Sequence, residues 1–502
     1  MKVAYKYLPV ISYIQEEGKK EGRLAAPSSD LPCKGTSALD PVMLNPGVTN
    51  IYTQVLTPGW GWLMSLLTTL MLSLMPWPLL GADTSHPYSL QELYRYALQS
   101  SEAIKISQED IYIAQQQRTK AIAAIMPRIS AFSLYTQYNR DRLVPGGMVL
   151  QPNSSMSNGI SLDESLSLGG KELKTIDMAQ KSVEKSINDY DSVTEGYLYS
   201  IAGAFYDCLK AKKAIDIAQA NVERLTLYRD AAKTKLSAGE LTRTPLLRAE
   251  AELSTAMTEA LQAQNDMRIK KATLKKLAGL TDDFDVRDDL PTAHDLANCL
   301  TDDVECLIQT AFNRRSELKS YAAQREIAQK TIESAKSAYW PTLSIEGVLV
   351  KKDDNPGWLF NNVETAYATI TLTLPLYEGG VRQADLKEAR SRQRQSELAI
   401  ENLKKTISLD VESSYLTYLT QQGVIVSLKE TLAYATDNYS SVNRQFDAGL
   451  ATSLDVMDAN NLLVTSQRKL SEAIYGYELA YLTLKRSIGI PLNAIEHPFV
   501  YN

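Results

Sequence analysis

The run Ala366-Tyr-Ala-Thr-Ile-Thr-Leu-Thr-Leu-Pro-Leu-Tyr-Glu-Gly-Gly380 changes its period partway, and that change decides the fold. Up to Leu376, the apolar residues Ile370, Leu372, Leu374 and Leu376 alternate with Thr369, Thr371 and Thr373. A period of two is that of a strand with one greasy and one polar face. Alternation alone fits an ordinary half-buried sheet as well as a strand with lipid outside and water inside. Beyond Gly380 the pattern is helical as far as Phe446, about 65 residues without a proline, or roughly 100 Å at 1.5 Å per residue. Leu386, Ala389, Ile400, Leu403, Ile407 and Val411 recur at spacings of three and four and their sums, as in a coiled-coil seam. A turn at Asp447-Ala-Gly449 puts glycine at a C-cap, and a returning helix runs to Gly489.

The same grammar is written earlier in the chain. Gly169, Gly239 and Gly279 stand 210 residues before Gly379, Gly449 and Gly489, and Pro127 stands 214 before Pro341. Four extra residues of the first copy therefore lie between its proline and its Gly-Gly pair. Each copy opens with a helix that ends before its proline, because proline disfavours helix in its predecessor. Ser89-Leu-Gln-Glu92 is a capping box for the first, and Asp302 opens the second. Strands are expected at about 128–142, 159–168, 342–350 and 366–376. In the first copy Phe132 and Leu134 carry the greasy face before the loop. After it Ile160, Leu162, Leu166 and Leu168 alternate with Ser161, Asp163, Ser165 and Ser167. Thr244-Pro245 reads as the start of the first returning helix, a capping hydroxyl followed by proline at the first helical position.

The repeats span 83–300 and 301–490, with a tail at 491–502. Ahead of them, 64–82 is short in apolar core, is broken by Pro76 and Pro78, and ends in small residues. That is a signal peptide, with an N-terminal membrane anchor as the alternative. Residues 1–63 form an extension without periodicity, and the translation start is expected near Met64. No later apolar run is long enough for a membrane helix, so any crossing must be made by strands.

Composition excludes several function classes. A formal charge of −6 argues against a nucleic-acid partner. His86, His294 and His497 do not cluster, and no phosphate loop, nucleophile elbow or metal-ligand spacing occurs. Neither an enzyme, a metal nor a cofactor is expected. With 27 Tyr against 7 Phe, the aromatic residues suit half-wet surfaces and membrane interfaces. Cys299 and Cys306 would lie roughly 10 Å apart on one continuous helix, too far for a disulfide. They can pair only if a helix begins between them, for which Asp302 and Glu305 make a capping pair.

Four strands are too few to close a barrel, which needs about eight, and their edges cannot stay open in lipid. The chain must share a barrel with its own copies, eight strands from two chains or twelve from three. The fold class expected is mostly α with a small transmembrane β-barrel. A structural or adhesive coiled-coil protein of the periplasm or cell surface would explain the helices but not four strands placed identically in both copies.

With Leu374–Gly380, Phe446-Asp-Ala-Gly449, Ser453-Leu-Asp-Val-Met-Asp-Ala459, Tyr475-Gly-Tyr477 and Leu484–Gly489, residues 88–490 resemble the TolC family of outer-membrane efflux proteins. The resemblance implies a homotrimer with a twelve-stranded barrel in outer-membrane lipid and a periplasmic α-helical tunnel. It implies two partners, an inner-membrane transporter and its periplasmic adaptor, and a passive duct for efflux or type I secretion. Asp455 and Asp458 would line the periplasmic entrance as acidic rings, unless they simply favour a helix dipole. Arg248, at the position equivalent to Asp458, is the expected partner of an entrance carboxylate. The family's arginine two residues after the turn glycine is Ala451 here, so that latch is absent or built differently. Gly239 and Gly449 mark the turns that would meet the adaptor. Pro127, Gly169, Gly170, Pro341, Pro375, Gly379 and Gly380 mark the strand-to-helix junctions.

Overall fold

Ser89 begins the first helix through the capping box legible in the sequence, its hydroxyl accepting from the Glu92 N–H while the Glu92 carboxylate accepts from the Ser89 N–H. From there the computed structural model follows one grammar twice. It describes residues 87–139, 142–143, 149–289, 303–355, 357 and 363–492. The expected extension, signal peptide and most of the tail lie outside these residues, as do Cys299 and Asp302.

The first copy contains α1 (Leu90–Ser100), α2 (Glu102–Ala123), β1 (Arg128–Gln137), β2 (Ser154–Ser167), α3 (Lys171–Ser237) and α4 (Arg243–Ala278). The second contains α5 (Val304–Arg314), α6 (Ser316–Ser337), β3 (Thr342–Asn355), β4 (Val363–Thr373), α7 (Val381–Asp447) and α8 (Ser453–Ser487). The long helices α3 and α7 have 67 residues each, about 100 Å.

Each opening helix is broken in two, where the sequence pattern predicts one rod. The breaks fall at Ser101 and Arg315, again 214 apart, both extended at φ near −61° and ψ 124°. Ser101 caps the second piece by accepting from the Ile104 N–H. Arg315 turns inward, where its guanidinium donates to Glu317 and, 95 residues away, to Asp410 at 3.1 Å. Burial acts against that charge, but the two carboxylates prevail and hold the guanidinium above its ordinary pKa. The second copy starts on Asp303 rather than Asp302, with the Asp303 carboxylate accepting from the Glu305 N–H at 3.0 Å.

The four long strands form one antiparallel sheet in the order β1-β2-β3-β4, so β1 and β4 are its edges. Fourteen residue pairs join β2 to β3 across the two copies, from Ser154 opposite Asn355 to Ser167 opposite Thr342. The register puts Ile129, Ile160, Leu162, Leu349, Ile370 and Leu372 on one face, all exposed. The other carries Ser161, Asp163, Ser344, Glu346, Thr369 and Thr371. One expectation fails here. Phe132 and Leu134 lie on the polar face, opposite Gly159 and Ser157. The Phe132 ring covers Gly159, where an added Cβ would sit 2.7 Å from it. The observed strands also run further at the loop ends of β2 and β3 than the alternation suggests, and β4 stops before Leu374 and Pro375.

The helices pack as two antiparallel pairs, α3 with α4 and α7 with α8, joined by α3 against α8 and by α3 against α6. One core joins Leu93, Tyr94, Leu198, Phe205, Leu274 and Tyr475; another joins Leu307, Ile407, Val411, Leu484 and Ile488. Many buried positions are alanine, which lets backbones approach closely while removing little area each from water. Among the described residues no helix is long and apolar enough to cross a membrane.

Candidate functional site at the helix-turn tips

Both long helices end the same way. Gly239 (φ 79°) and Gly449 (φ 78°) take the left-handed conformation that glycine adopts without steric cost. The Glu240 N–H reaches back to the Lys235 carbonyl at 2.9 Å, and the Leu450 N–H to the Gln445 carbonyl at 2.8 Å. Gly239 and Gly449 donate to Leu236 and Phe446, completing a Schellman motif at each tip. A side chain built on either glycine would meet nothing within 4 Å. Both turns are open to an approaching surface.

The returning helices start differently. Thr452 caps α8 in a full box, the Asp455 carboxylate accepting from the Thr452 N–H at 2.7 Å and its hydroxyl at 2.6 Å, while the Asp455 N–H donates to that hydroxyl. In the first copy the cap is Thr242, not Thr244, and Pro245 is the third helical residue. Proline has no N–H there, so the Thr242 hydroxyl makes no capping bond.

Asp455 therefore holds the start of α8 together, whatever else it does. The Thr452 hydroxyl, and then its N–H, hold this carboxyl below the ordinary carboxylate range. A lowered folded pKa stabilises above the unfolded value of about 3.9, and the contribution is lost as pH falls through the folded value. Amide exchange at Thr452 and Asp455 is expected to be slow at pH 7 in the native chain and, at Thr452, faster in the Asp455→Ala variant, the two converging only in acid below about pH 4. Equal exchange at pH 7 would remove the capping role.

Asp458 lies one turn further on, exposed. Within one chain, among the described residues, no ion pair joins Arg248 to Asp455 or Asp458. Arg248 instead lies near Tyr228, whose hydroxyl burial pushes up to about 12 while the Arg248 charge acts the other way.

The ties between the two helix pairs at this end were not legible in the sequence. Lys235, in the last turn of α3, donates to the Phe446 and Asp447 carbonyls at 3.3 and 3.4 Å, and its ammonium sits 4.7 Å from the Phe446 ring centroid. A cation on the C-terminal carbonyls of a helix complements its dipole. Arg224 donates to Asn460 at 3.1 Å, and Asn460 to Asn221 at 2.8 Å, a buried polar link from α3 to α8. Arg468 reaches Glu259 at 2.5 Å, joining α8 to α4. Around them Leu225, Tyr228, Leu253, Phe446, Val456 and Met457 form a core drawn from all four long helices. The available signal was polar side chains at 221 and 460 inside apolar stripes.

At the opposite end of the long helices, Gly170 (φ 71°) and Gly380 (φ 89°) are the N-caps of α3 and α7. Gly169 is wedged on the end of α6, where an added Cβ would lie 2.7 Å from the Ser337 carbonyl oxygen. Pro127 and Pro341 immediately precede β1 and β3, while Pro375 and Gly379 lie between β4 and α7.

A family model described as outer membrane efflux protein matches residues 93–280 and 307–490, once per copy. Outer membrane protein TolC of Vibrio cholerae is 22% identical over 408 residues, covering 80% of this chain and 90% of that protein. Alkaline protease secretion protein AprF of Pseudomonas aeruginosa is 21% identical, covering 84% and 89%. Among solved structures, the Campylobacter jejuni CmeC outer membrane channel aligns with a TM-score of 0.73 at 15% identity, covering 81% of this chain and 87% of that one. The outer membrane protein VceC of Vibrio cholerae aligns at 0.68 with 16% identity, covering 80% and 96%.

Proposed function

The chain belongs to the outer membrane efflux protein family, and on that premise we propose that it is an outer-membrane exit duct. It conducts solutes passively from an inner-membrane pump to the exterior and catalyses no reaction. One observation carries this reading: a four-stranded sheet with an exposed apolar face and two unpaired edges continues directly into paired helices about 100 Å long. Such a sheet is stable in lipid only inside a closed barrel. A free-standing coiled-coil rod has no use for it. Three copies supply twelve strands around a water-filled lumen, whereas two supply eight, whose interior fills with side chains. The polar face of serine, threonine, Asp163 and Glu346 is the lumen lining.

The efflux-protein family and a relative named for secretion support a place in a tripartite assembly with a periplasmic adaptor and an inner-membrane transporter. The open turns at Gly239 and Gly449 are the docking points in this reading. Purification from outer membranes should give a trimer by native mass spectrometry that conducts in planar bilayers; a monomeric, non-conducting, lipid-independent protein would refute the duct.

Asp458 supplies a ring of three carboxylates at the entrance in the trimer, raising local cation occupancy. The Asp458→Asn channel is expected to lose cation preference in reversal-potential measurements under a salt gradient. Unchanged selectivity would leave Asp458 a solvated residue of the first turns of α8.

A further inference from the structure

Arg486, in the last turn of α8, holds a half-buried guanidinium with five N–H donors. Among the described residues it makes no hydrogen bond and no ion pair. Its central carbon lies 5.1 Å from the centroid of the Tyr199 ring on α3, and the Tyr199 hydroxyl shares a hydrogen bond of 2.9 Å with Thr483 Oγ1. Together with Arg315 it lines a cavity of about 310 Å³, whose other walls include Asp410, Ser413 and Thr417 of α7 and Thr483 of α8. Arg315 gives three N–H groups to Glu317 and Asp410 and has two over. Glu317 lines a neighbouring cavity, so on the wall of this one two cations face one carboxylate. Burial raises the Glu317 carboxyl, yet Arg315 and, more weakly, Arg486 bring it below its ordinary range, so the Arg486 charge is felt at this joint.

The wall divides into donors and acceptors. Arg486 and the remaining N–H groups of Arg315 donate. The hydroxyls of Ser413, Thr417 and Thr483 have committed their protons to the Asp410, Ser413 and Leu479 carbonyls of their own helices, at 3.2, 2.7 and 2.7 Å. What they add to the cavity is lone pairs, as the Asp410 carboxylate does. We infer that this cavity binds inorganic phosphate in a protonated form, the guanidiniums holding its bare oxygens while its P–O–H donates to Asp410 or to a hydroxyl. Phosphate near neutral pH keeps such a proton. Sulfate has none, and would set its own lone pairs against those of the wall. Lipid headgroups are not the source, because Tyr199 lies about 40 Å along α3 from its start at Lys171, beside the sheet.

The repeat supplies an internal comparison. At this level α8 ends against the start of α6, where a Cβ added to Gly489 would lie 3.0 Å from Arg315 N. In the first copy α4 ends against the start of α2 in the same way, and a Cβ on Gly279 would lie 2.7 Å from Ser100 Cβ. That joint closes without the cluster. The counterparts of Arg315, Asp410, Ser413 and Arg486 are Ser101, Ser200, Gly203 and Lys276, and the Ser100 hydroxyl donates to the Ala278 carbonyl at 3.0 Å. Lys276 stands exposed in the last turn of α4, which is enough to complement a helix dipole. Neither the joint nor the dipole therefore requires a half-buried guanidinium at position 486. Two guanidiniums on one small cavity repel each other until an anion lies between them.

The test titrates the purified full-length protein in detergent with sodium phosphate, and separately with sodium sulfate, by isothermal calorimetry near neutral pH. The native protein is expected to bind one inorganic phosphate per chain and to bind sulfate at least about tenfold more weakly. Arg486→Ala is expected to weaken phosphate at least about tenfold, and Arg486→Lys by less, since an ammonium keeps the charge but loses the planar fork. Thr417→Ala, on the exposed rim, is expected to narrow the gap between phosphate and sulfate, and with Arg486→Lys it decides the matter if Arg486→Ala fails to fold. Melting temperature separates a bound ligand from a helix-dipole partner. A ligand site gives a phosphate-dependent rise in the native protein that Arg486→Ala loses, whereas a dipole role alone lowers the melting temperature equally with and without phosphate. No phosphate binding below about 10 mM, or equal affinity in the native and Arg486→Ala proteins, overturns the inference. Equal binding of sulfate overturns the protonated ligand. The duct is read by conductance and stands or falls separately.

Discussion

Arginine at Ile160 is expected to remove the protein from the outer membrane, whereas arginine at the adjacent Ser161 is expected to leave it there. Ile160 pairs with Leu349 near the middle of β2 and β3, on the apolar face, and is 52% exposed in the single chain. A charge at the bilayer midplane of a β-barrel costs about 2–4 kcal/mol. Three well-separated copies in one barrel add, giving roughly 6–12 kcal/mol per trimer. Ser161 points to the opposite face, where its hydroxyl donates to Asp163 at 3.0 Å, so a guanidinium there would have water and a carboxylate beside it. The measurement is the amount of heat-modifiable oligomer in the outer-membrane fraction of each variant. Equal loss, or loss reversed between the two, would mean that the apolar face does not meet lipid.

The second large effect is expected at the other end of the molecule. Phe446 is 4% exposed, lies 5.1 Å from the Tyr228 ring, and has the Lys235 ammonium above it. It belongs to a core that takes side chains from α3, α4, α7 and α8 together. Replacing a buried phenylalanine with alanine costs about 3–5 kcal/mol. Because the tip lies at the far end of the long helices, away from the other cores, that loss should appear as local opening rather than global unfolding. Phe446→Ala is expected to expose the turn at Asp447–Thr452 to protease and to speed amide exchange in the last turns of α3 and α7, with the barrel end unchanged. Leu450→Ala, at an 82% exposed position, is the matched control and should change stability by less than about 0.5 kcal/mol. A tip equally protected in both variants would show that it is held by something other than this core.

Much of the fold is legible in one dimension because its governing features are local. Proline ends a helix through its own ring at Pro127 and Pro341, and glycine alone reaches positive φ cheaply at Gly170, Gly239, Gly380 and Gly449. The misreadings come from residues whose role is set by a distant partner. Arg315 is an ordinary helix former, yet the opening helix breaks there as it does at Ser101, and its guanidinium reaches Asp410 on another element. Phe132 looks greasy in a strand, but the register places it over Gly159, so the apolar ring faces the polar side of the sheet. Thr242 and Thr244 are equally good caps by type, and the structure starts the helix after the first.

The candidate site divides the same way. Its turn glycines and acidic residues were visible as a motif, while the ties across the tip join positions more than 200 residues apart: Lys235 with Phe446, Arg224 with Asn460, Arg468 with Glu259.

By itself the sequence determined the repeat, the strand and helix periods and the turns, because each follows from short-range sterics and local pattern. Only the tertiary structure decided which face of the first strand is apolar, which carboxylate caps a helix and which charges bridge the two copies. Those choices depend on what lies across a gap in space, and spacing along a chain carries no record of that.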